Sequence, residues 1–464
     1  MEYRIETDSM GPVEVPAWAY YGAQTQRAVN NFNITRLTMP QELIRALALV
    51  KWAAALTNKK LGLLQPRLAD AIAAAALSIY RGEVEARHFP VDVFQTGSGT
   101  STNMNVNEVI ANMANEALGG KRGDKEPVHP NDHVNRGQSS NDTIPTAIHI
   151  AAALGIKNQV LPALDALAAS LAAKAEAFHD ILKIGRTHLQ DATPMRLGQE
   201  FSGYARQVEL AAKRLREAQT HLYELALGGT AVGTGINTHP QFAREAIALI
   251  AQETGIPFVE AVNHFEAQAS KDAIVYVSGA LNTAMSALMK IANDIRWLAS
   301  GPRCGLGEIR LPELQPGSSI MPGKVNPVIP EAVIQAAAQV TGNHVAITIG
   351  NQWGNLELNV MMPMMARNLL EAIELTAGAA AAFKDRCVDG IEADRERCES
   401  FIEQSLAMCT PLAKVIGYDR AAQIAKAAYE SGRTVREIAL EQGVLPADEL
   451  AKVLDPRSMT EPQQ

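Results

Sequence analysis

A chain of 464 residues is long enough to bury a large core and to divide into two or three domains. Its formal charge of −8 argues against nucleic acid and anionic membranes as general partners, so an anionic ligand must be held by a local site. Hydrophobic residues make up 47% and aromatics only 5%, and alanine-rich runs such as Ala71–Ala76 favour close-packed helices over strands.

The start, MEYRIETDSM, is acidic and carries neither a signal-peptide core nor an Arg-rich transit pattern. No apolar run is expected to reach the length of a membrane span, and the expected location is the cytoplasm. Cys304, Cys387, Cys398 and Cys409 lack CxxC pairing, so no iron–sulfur or zinc site is expected, and no cofactor.

Residues 1–40 are mixed and punctuated by Gly11-Pro12, Pro16, Gly22 and Pro40, with YYGAQTQRAVNNF at Tyr20–Phe32. Apolar periodicity predicts helices from about Glu42 to Leu61 and from Pro66 to Tyr80. A first polar cluster, QTGSGTSTNMN (Gln95–Asn105), puts Ser98, Gly99 and Thr100 just before a helix ending at Gly119-Gly120. Hydroxyls there suit helix capping and anion binding alike. The second cluster, HPNDHVNRGQSSNDTIPT, begins at His129 and reaches Ser139, Ser140 and Asn141. A long helix is predicted after Asn141-Asp142, with Pro145 in its first turn, running to about Phe178 with a kink near Pro162. In the third cluster, GRTHLQDATPMRLGQE (Gly185–Glu200), Thr187 and His188 fall in a loop, and Thr193-Pro194 marks the next helix start. A short helix is predicted over Gln241–Glu253. A long amphipathic one follows over Ala269–Ser300, where Val277, Ala284, Leu288, Ile291, Ile295 and Leu298 share a face.

The stretch Gly317–Pro327, GSSIMPGKVNP, is where the most chemistry is concentrated. Pro316, Gly317, Pro322, Gly323 and Pro327 forbid a regular helix or central strand across it. Such a loop can turn backbone N–H groups inward as an anion nest. Lys324 adds a mobile cation and Asn326 an orienting amide. Long helices are predicted over Val328–Ile349 and Glu357–Cys387, and Asp389-Gly390 marks a boundary. The expected domains are 1–138 (mixed, mostly helical), 139–390 (a central helical bundle) and 391–464 (small and helical).

The Gly317–Pro327 string resembles the signature loop of the fumarase/aspartase superfamily. YYGAQTQRAVNNF, GRTHLQ, NHFEAQ (Asn263–Gln268) and GNLELN (Gly354–Asn359) carry the resemblance along nearly the whole chain. HPND and QSSND resemble the class II fumarases more than the aspartases. The resemblance implies a mainly α, three-domain fold with a long central helical bundle. It also implies a homotetramer whose sites are shared between subunits, no cofactor, and reversible hydration of a small dicarboxylate, fumarate to L-malate. By similarity Ser318 is the base. Lys324 and Asn326 donate to the aci-carboxylate, and His188, with Glu331 as carboxylate partner, acts on the opposite side. Ser98, Gly99, Thr100, Ser139, Ser140, Asn141, Thr187, Ser319 and Val325 surround the substrate. His129, Pro130, Asn131 and Asp132 match a second dicarboxylate site of some fumarases. Glu126 stands where those carry arginine, so efficient second-site binding is not expected. Asn351-Gln352-Trp353 is bulkier than the residues usual before GNLELN. Two other readings stay open: an aspartate ammonia-lyase, and a non-catalytic crystallin-like protein on this fold. The plain structural alternative for Glu331 is a favourable charge in a first helical turn.

Overall fold

In the computed structural model, which describes residues 2–462, helices account for 61% of the chain. The described strands form five two-stranded sheets, so the fold is mainly α. Two compact units divide the chain. One comprises Met1–Pro162, Lys213–Met285 and Ala337–Ala377; the other comprises Ala163–Ala212, Ser286–Ala336 and Gly378–Gln464.

In the first unit a hairpin pairs Tyr3–Asp8 with Gly11–Pro16. Helices Gln41–Lys60 and Pro66–Tyr80 follow at the predicted places. Leu43, Leu47, Val50 and Ala54, spaced by four and three, are at most 1% exposed, each large side chain contributing about 1.5–3 kcal/mol by burial. Helix Thr100–Ala117 is unusual in burying Asn103, Asn105, Asn107, Glu108, Asn112 and Asn115. Each finds a partner, as a buried polar group must. Asn105 donates to His88 O, Asn112 to Tyr20 O and Asn115 to Val128 O. Glu108 accepts from the backbone of Gly22, Gln24 and Thr25 and from the Thr25 hydroxyl.

The next helix begins at Ser140, not after Asp142, because Ser139 and Asp142 form a capping box. Pro145 therefore sits in its second turn. Where a kink at Pro162 was expected, the helix passes through a π segment, Ile156–Val160, into Leu161–Ala177.

The second unit holds a hairpin that the sequence reading missed, Leu182–Thr187 with Gln190–Arg196. Thr193 and Pro194 lie in its second strand, and helix Leu197–Gln219 starts only after it. A two-stranded sheet is all edge, so the missing N–H of Pro194 breaks no ladder. Four short helices near the C-terminus enclose Leu412, Ile424, Ile438, Leu450 and Leu454 in a core with Ile184.

Three long helices complete the bundle: Asp272–Leu298, Val328–Asn351 and Met362–Arg386. The last starts later than predicted because Gly354–Asn355 and Leu358–Asn359 form a small hairpin before it. Ser140–Ala177 and Asp272–Leu298 are long and apolar enough to cross a membrane by length and composition. This corrects the expectation drawn from the sequence. Alanine raises the mean hydropathy of these windows to 1.2 and 1.3, of which 61% and 44% is buried.

Candidate active site

Within the first unit, two of the predicted clusters meet. Ser98 Oγ lies 2.7 Å from Thr100 Oγ1, which lies 2.7 Å from Ser140 Oγ. The contact needs a glycine between them. Gly99 caps the Thr100–Ala117 helix at φ 74°, and a Cβ there would come within 2.9 Å of the Ile144 side chain. The hydroxyls of two helix starts thus form one chain, at the positive ends of both helix dipoles. Asn141 is fixed by donating Nδ2 to Ala231 O at 2.8 Å. Behind it, buried Asp142 accepts from the N–H groups of Ser139, Gly228 and Thr230. Burial pushes its carboxyl above the ordinary range, against the pull of those three donors.

In the second unit, the Gly317–Pro327 loop closes on itself. Gly317 N donates to Lys324 O at 2.7 Å and Asn326 Nδ2 donates to Gly317 O at 2.6 Å. A Cβ at Gly317 would lie 2.6 Å from Lys324 O, so only glycine permits the closure. Ser318 Oγ accepts from Met321 N at 2.9 Å and Ile320 N at 3.2 Å. Ser319, Lys324 and Val325 are exposed, as are the apolar Ile320 (83%) and Met321. Lys324, Asn326 and Glu331 line a cavity of about 850 Å³ together with Arg296, Arg303 and Arg310. Cations outnumber carboxylates there, which suits a dianion.

Thr187 ends a strand, and His188 and Leu189 form the turn at φ 57° and 60°. Such a turn matches the twist of a hairpin but is normally built from Asn and Gly. Here it holds an exposed imidazole at a cost of about 1–2 kcal/mol per left-handed residue. The hairpin is anchored by charge: Arg186 pairs with buried Glu308 at 2.8 Å, and Lys183, 2% exposed, pairs with Glu308 and Glu200. His188 and Glu331 are not paired within the chain; Glu331 Oε1 instead lies 3.9 Å from Arg296 Nη2.

His129, Pro130, Asn131 and Asp132 fall in the first unit, at a short turn where His129 Nδ1 accepts from Asn131 N and Asp132 N. His129, Pro130 and Asn131 border a cavity of about 230 Å³ whose walls include Glu6, Asp8 and Glu108. Among the described residues, no group of three or more His, Cys, Asp or Glu is placed to hold a metal ion. The anchors Lys183, Glu308 and Asp142 escaped the sequence reading. Only the capping-box spacing from Ser139 to Asp142 offered a signal.

A lyase family model matches residues 11–342, and a fumarase C C-terminus model matches residues 408–461. The chain is 55% identical over 460 residues to a class II fumarate hydratase of Nitrosomonas europaea, covering 99% of each chain. It is 53% identical to the mitochondrial fumarate hydratase of Rattus norvegicus, covering 99% of this chain and 91% of that one. A class II fumarase from Schistosoma mansoni superposes with a TM-score of 0.97 at 41% identity, over 100% of both chains. A fumarate lyase:delta crystallin from Brucella melitensis, bound to cobalt, superposes with a TM-score of 0.95 at 48% identity, covering 99% of this chain and 100% of that one. With the signature loop, the hydroxyl cluster and these likenesses over its full length, the chain belongs to the lyase family and, within it, to the class II fumarate hydratases.

Proposed function

We propose that the protein hydrates fumarate to L-malate reversibly, in the cytoplasm, as a homotetramer. The observation that carries the reading is the Ser318 hydroxyl, held by two backbone N–H groups in the loop whose Lys324 and Asn326 line a cation-rich cavity. Dehydration of malate begins with loss of a weakly acidic proton from the carbon next to a carboxylate. Ser318, as alkoxide, takes that proton. Lowering a hydroxyl pKa costs about 1.4 kcal/mol per unit, so the two N–H donors and the Lys324 charge must act together. The electron pair left behind moves onto the carboxylate as an aci-carboxylate dianion. Lys324, and the Asn326 N–H not used on Gly317, donate to its oxygens. His188, with Glu331 as its carboxylate partner in the assembled site, gives a proton to the leaving hydroxyl, which departs as water. Ser98, Thr100, Ser139, Ser140, Asn141 and Thr187 bind the substrate's carboxylates and hydroxyl.

Assembly from several chains fits the surface. Tyr276, Trp297, Val345 and Ile349 are each 47–54% exposed on long bundle helices, apolar side chains that other copies would cover. The test is the absorbance of the fumarate double bond with L-malate or L-aspartate as substrate. Fumarate should form from malate alone. Formation from aspartate, or from neither, would overturn the reading.

A further inference from the structure

The first unit buries a lysine that the chemistry above leaves unused. Lys51 lies in the middle of helix Gln41–Lys60 with no exposed surface. Its Nζ donates to Asn135 Oδ1 and to Gln138 Oε1, both at 2.9 Å. Asn135 Oδ1 also accepts from Asn103 Nδ2 and Asn107 Nδ2, each at 3.1 Å. The Asn135 amide then donates to Gln138 O. Gln138 is the residue before Ser139. Thr143 Oγ1 contacts both Ser139 O, at 2.8 Å, and Asn103 Oδ1, at 3.2 Å. One buried ammonium is therefore the hub of a network. The network joins the turn leading into Ser139-Ser140-Asn141 to the first turn of the Thr100–Ala117 helix.

A methionine would occupy this position without the desolvation cost of a cation, and an apolar core is the more stable choice when only packing is at stake. Burial pushes the ammonium down to about 7, with Asp142 the charge that opposes the shift. A neutral amine keeps two N–H donors and an ammonium three, so both forms satisfy Asn135 and Gln138. Geometry of the donors, rather than charge, is what the site requires.

We propose that Lys51 is a positioning residue for the hydration reaction. Acting through Asn135 and Gln138, it fixes the turn whose Ser139, Ser140 and Asn141 receive a substrate carboxylate. The assignment rests on the reading of that turn as part of the substrate site. It predicts an effect on binding rather than turnover, because the turn contacts substrate and transition state alike.

Two variants of the full chain decide it. Lys51→Met keeps the volume and removes the donors; Lys51→Gln keeps an amide N–H₂ with two donors. KM and kcat for L-malate are measured together with amide hydrogen exchange by mass spectrometry. Lys51→Met should raise KM at least about tenfold, equivalent to 1.4 kcal/mol, with kcat within about threefold. Exchange should accelerate in residues 134–143 and stay unchanged in 410–454. Lys51→Gln should recover most of both effects. An unchanged KM with unchanged local exchange overturns the proposal. So does exchange that rises throughout the chain, without rescue by glutamine, since that marks a purely structural lysine. A wild-type protein inactive on malate would defeat the functional reading alone, and exchange in 134–143 would still decide for or against Lys51.

Discussion

Both units present serine and threonine hydroxyls, but they hold them in opposite ways. In the first unit Ser98, Thr100 and Ser140 hold one another at 2.7 Å, over a buried bed of asparagines. Such a chain shares protons among neutral hydroxyls, which suits binding. In the second unit Ser318 has no hydroxyl neighbour of this kind; it accepts two backbone N–H bonds in an exposed loop. An oxygen that receives donors without giving its proton away is prepared to carry negative charge. The contrast teaches that one residue type can be held as a link in a hydroxyl chain or as a lone acceptor, according to who donates to it.

The largest effect should come from the proposed base. Ser318→Ala is expected to lower kcat by at least about a thousandfold, some 4 kcal/mol of barrier, with an unchanged circular dichroism spectrum. A rate within about tenfold of wild type, a loss of 1.4 kcal/mol, would take the base role from Ser318.

Assembly offers a second way to break the contrast. His188→Asn and Lys324→Met should each be inactive as pure proteins. Mixed and allowed to exchange subunits, they should regain activity, because some sites then receive intact residues from both. No recovery after exchange is demonstrated by mass spectrometry would argue that each chain completes its own site.

Thr100→Val cuts the hydroxyl chain at its centre. Leaving a buried polar group unpaired costs about 1–3 kcal/mol, so KM for malate should rise roughly five- to a hundredfold while kcat changes little. A loss confined to kcat would put Thr100 with Ser318 in the chemistry and erase the distinction.

The scaffold of the first unit has its own titration. Lys271, 1% exposed, donates to the carbonyls of Ala267, Gln268 and Ser270, and burial pushes it down to about 7 from its usual 10.5. Between those values the unfolded chain binds a proton that the folded chain has released. Stability therefore rises with pH across that window and is flat, for this group, below it. Lys271→Met should lose one proton's worth of that slope in chemical denaturation measured from pH 7 to 10. An identical slope in both proteins would refute the shift.

The smallest expected effect is none. Malate titrated calorimetrically into Ser318→Ala should show one class of site per subunit, because carboxylates wall the cavity beside His129. A second saturable class, lost on His129→Asn, would reverse that expectation.

What the sequence made legible was local. The Gly317–Pro327 loop announced itself through its prolines and glycines, and the long helices through apolar spacing, most of them to within three residues. Ser139 and Asp142 could be paired by their spacing alone, although the helix start was placed three residues late. Lys51 could not be read. Its partners lie 84 and 87 residues further along, and a lysine between apolar residues looks like a solvated one until those partners are known. Lys183 and Glu308 were hidden for the same reason. The Leu182–Arg196 hairpin failed differently: Thr193-Pro194 is a good helix start, and only pairing with Leu182–Thr187 reveals it as a strand.

The π segment at Ile156–Val160 divides the long helix into two differently buried halves. Before it, residues 142–148 and 150–153 are buried on every side. After it the buried residues narrow to Val160, Leu164, Leu167, Ala168 and Leu171, a stripe at α spacing. The segment holds one residue in excess, as π turns do, and its middle, Lys157 to Gln159, is exposed. The helix is therefore asymmetric toward changes of length. Removing Asn158 lets the π turn relax to an α turn without rotating the stripe at Leu164, Leu167 and Leu171. Adding a residue at the same place has no such outlet and would rotate everything downstream.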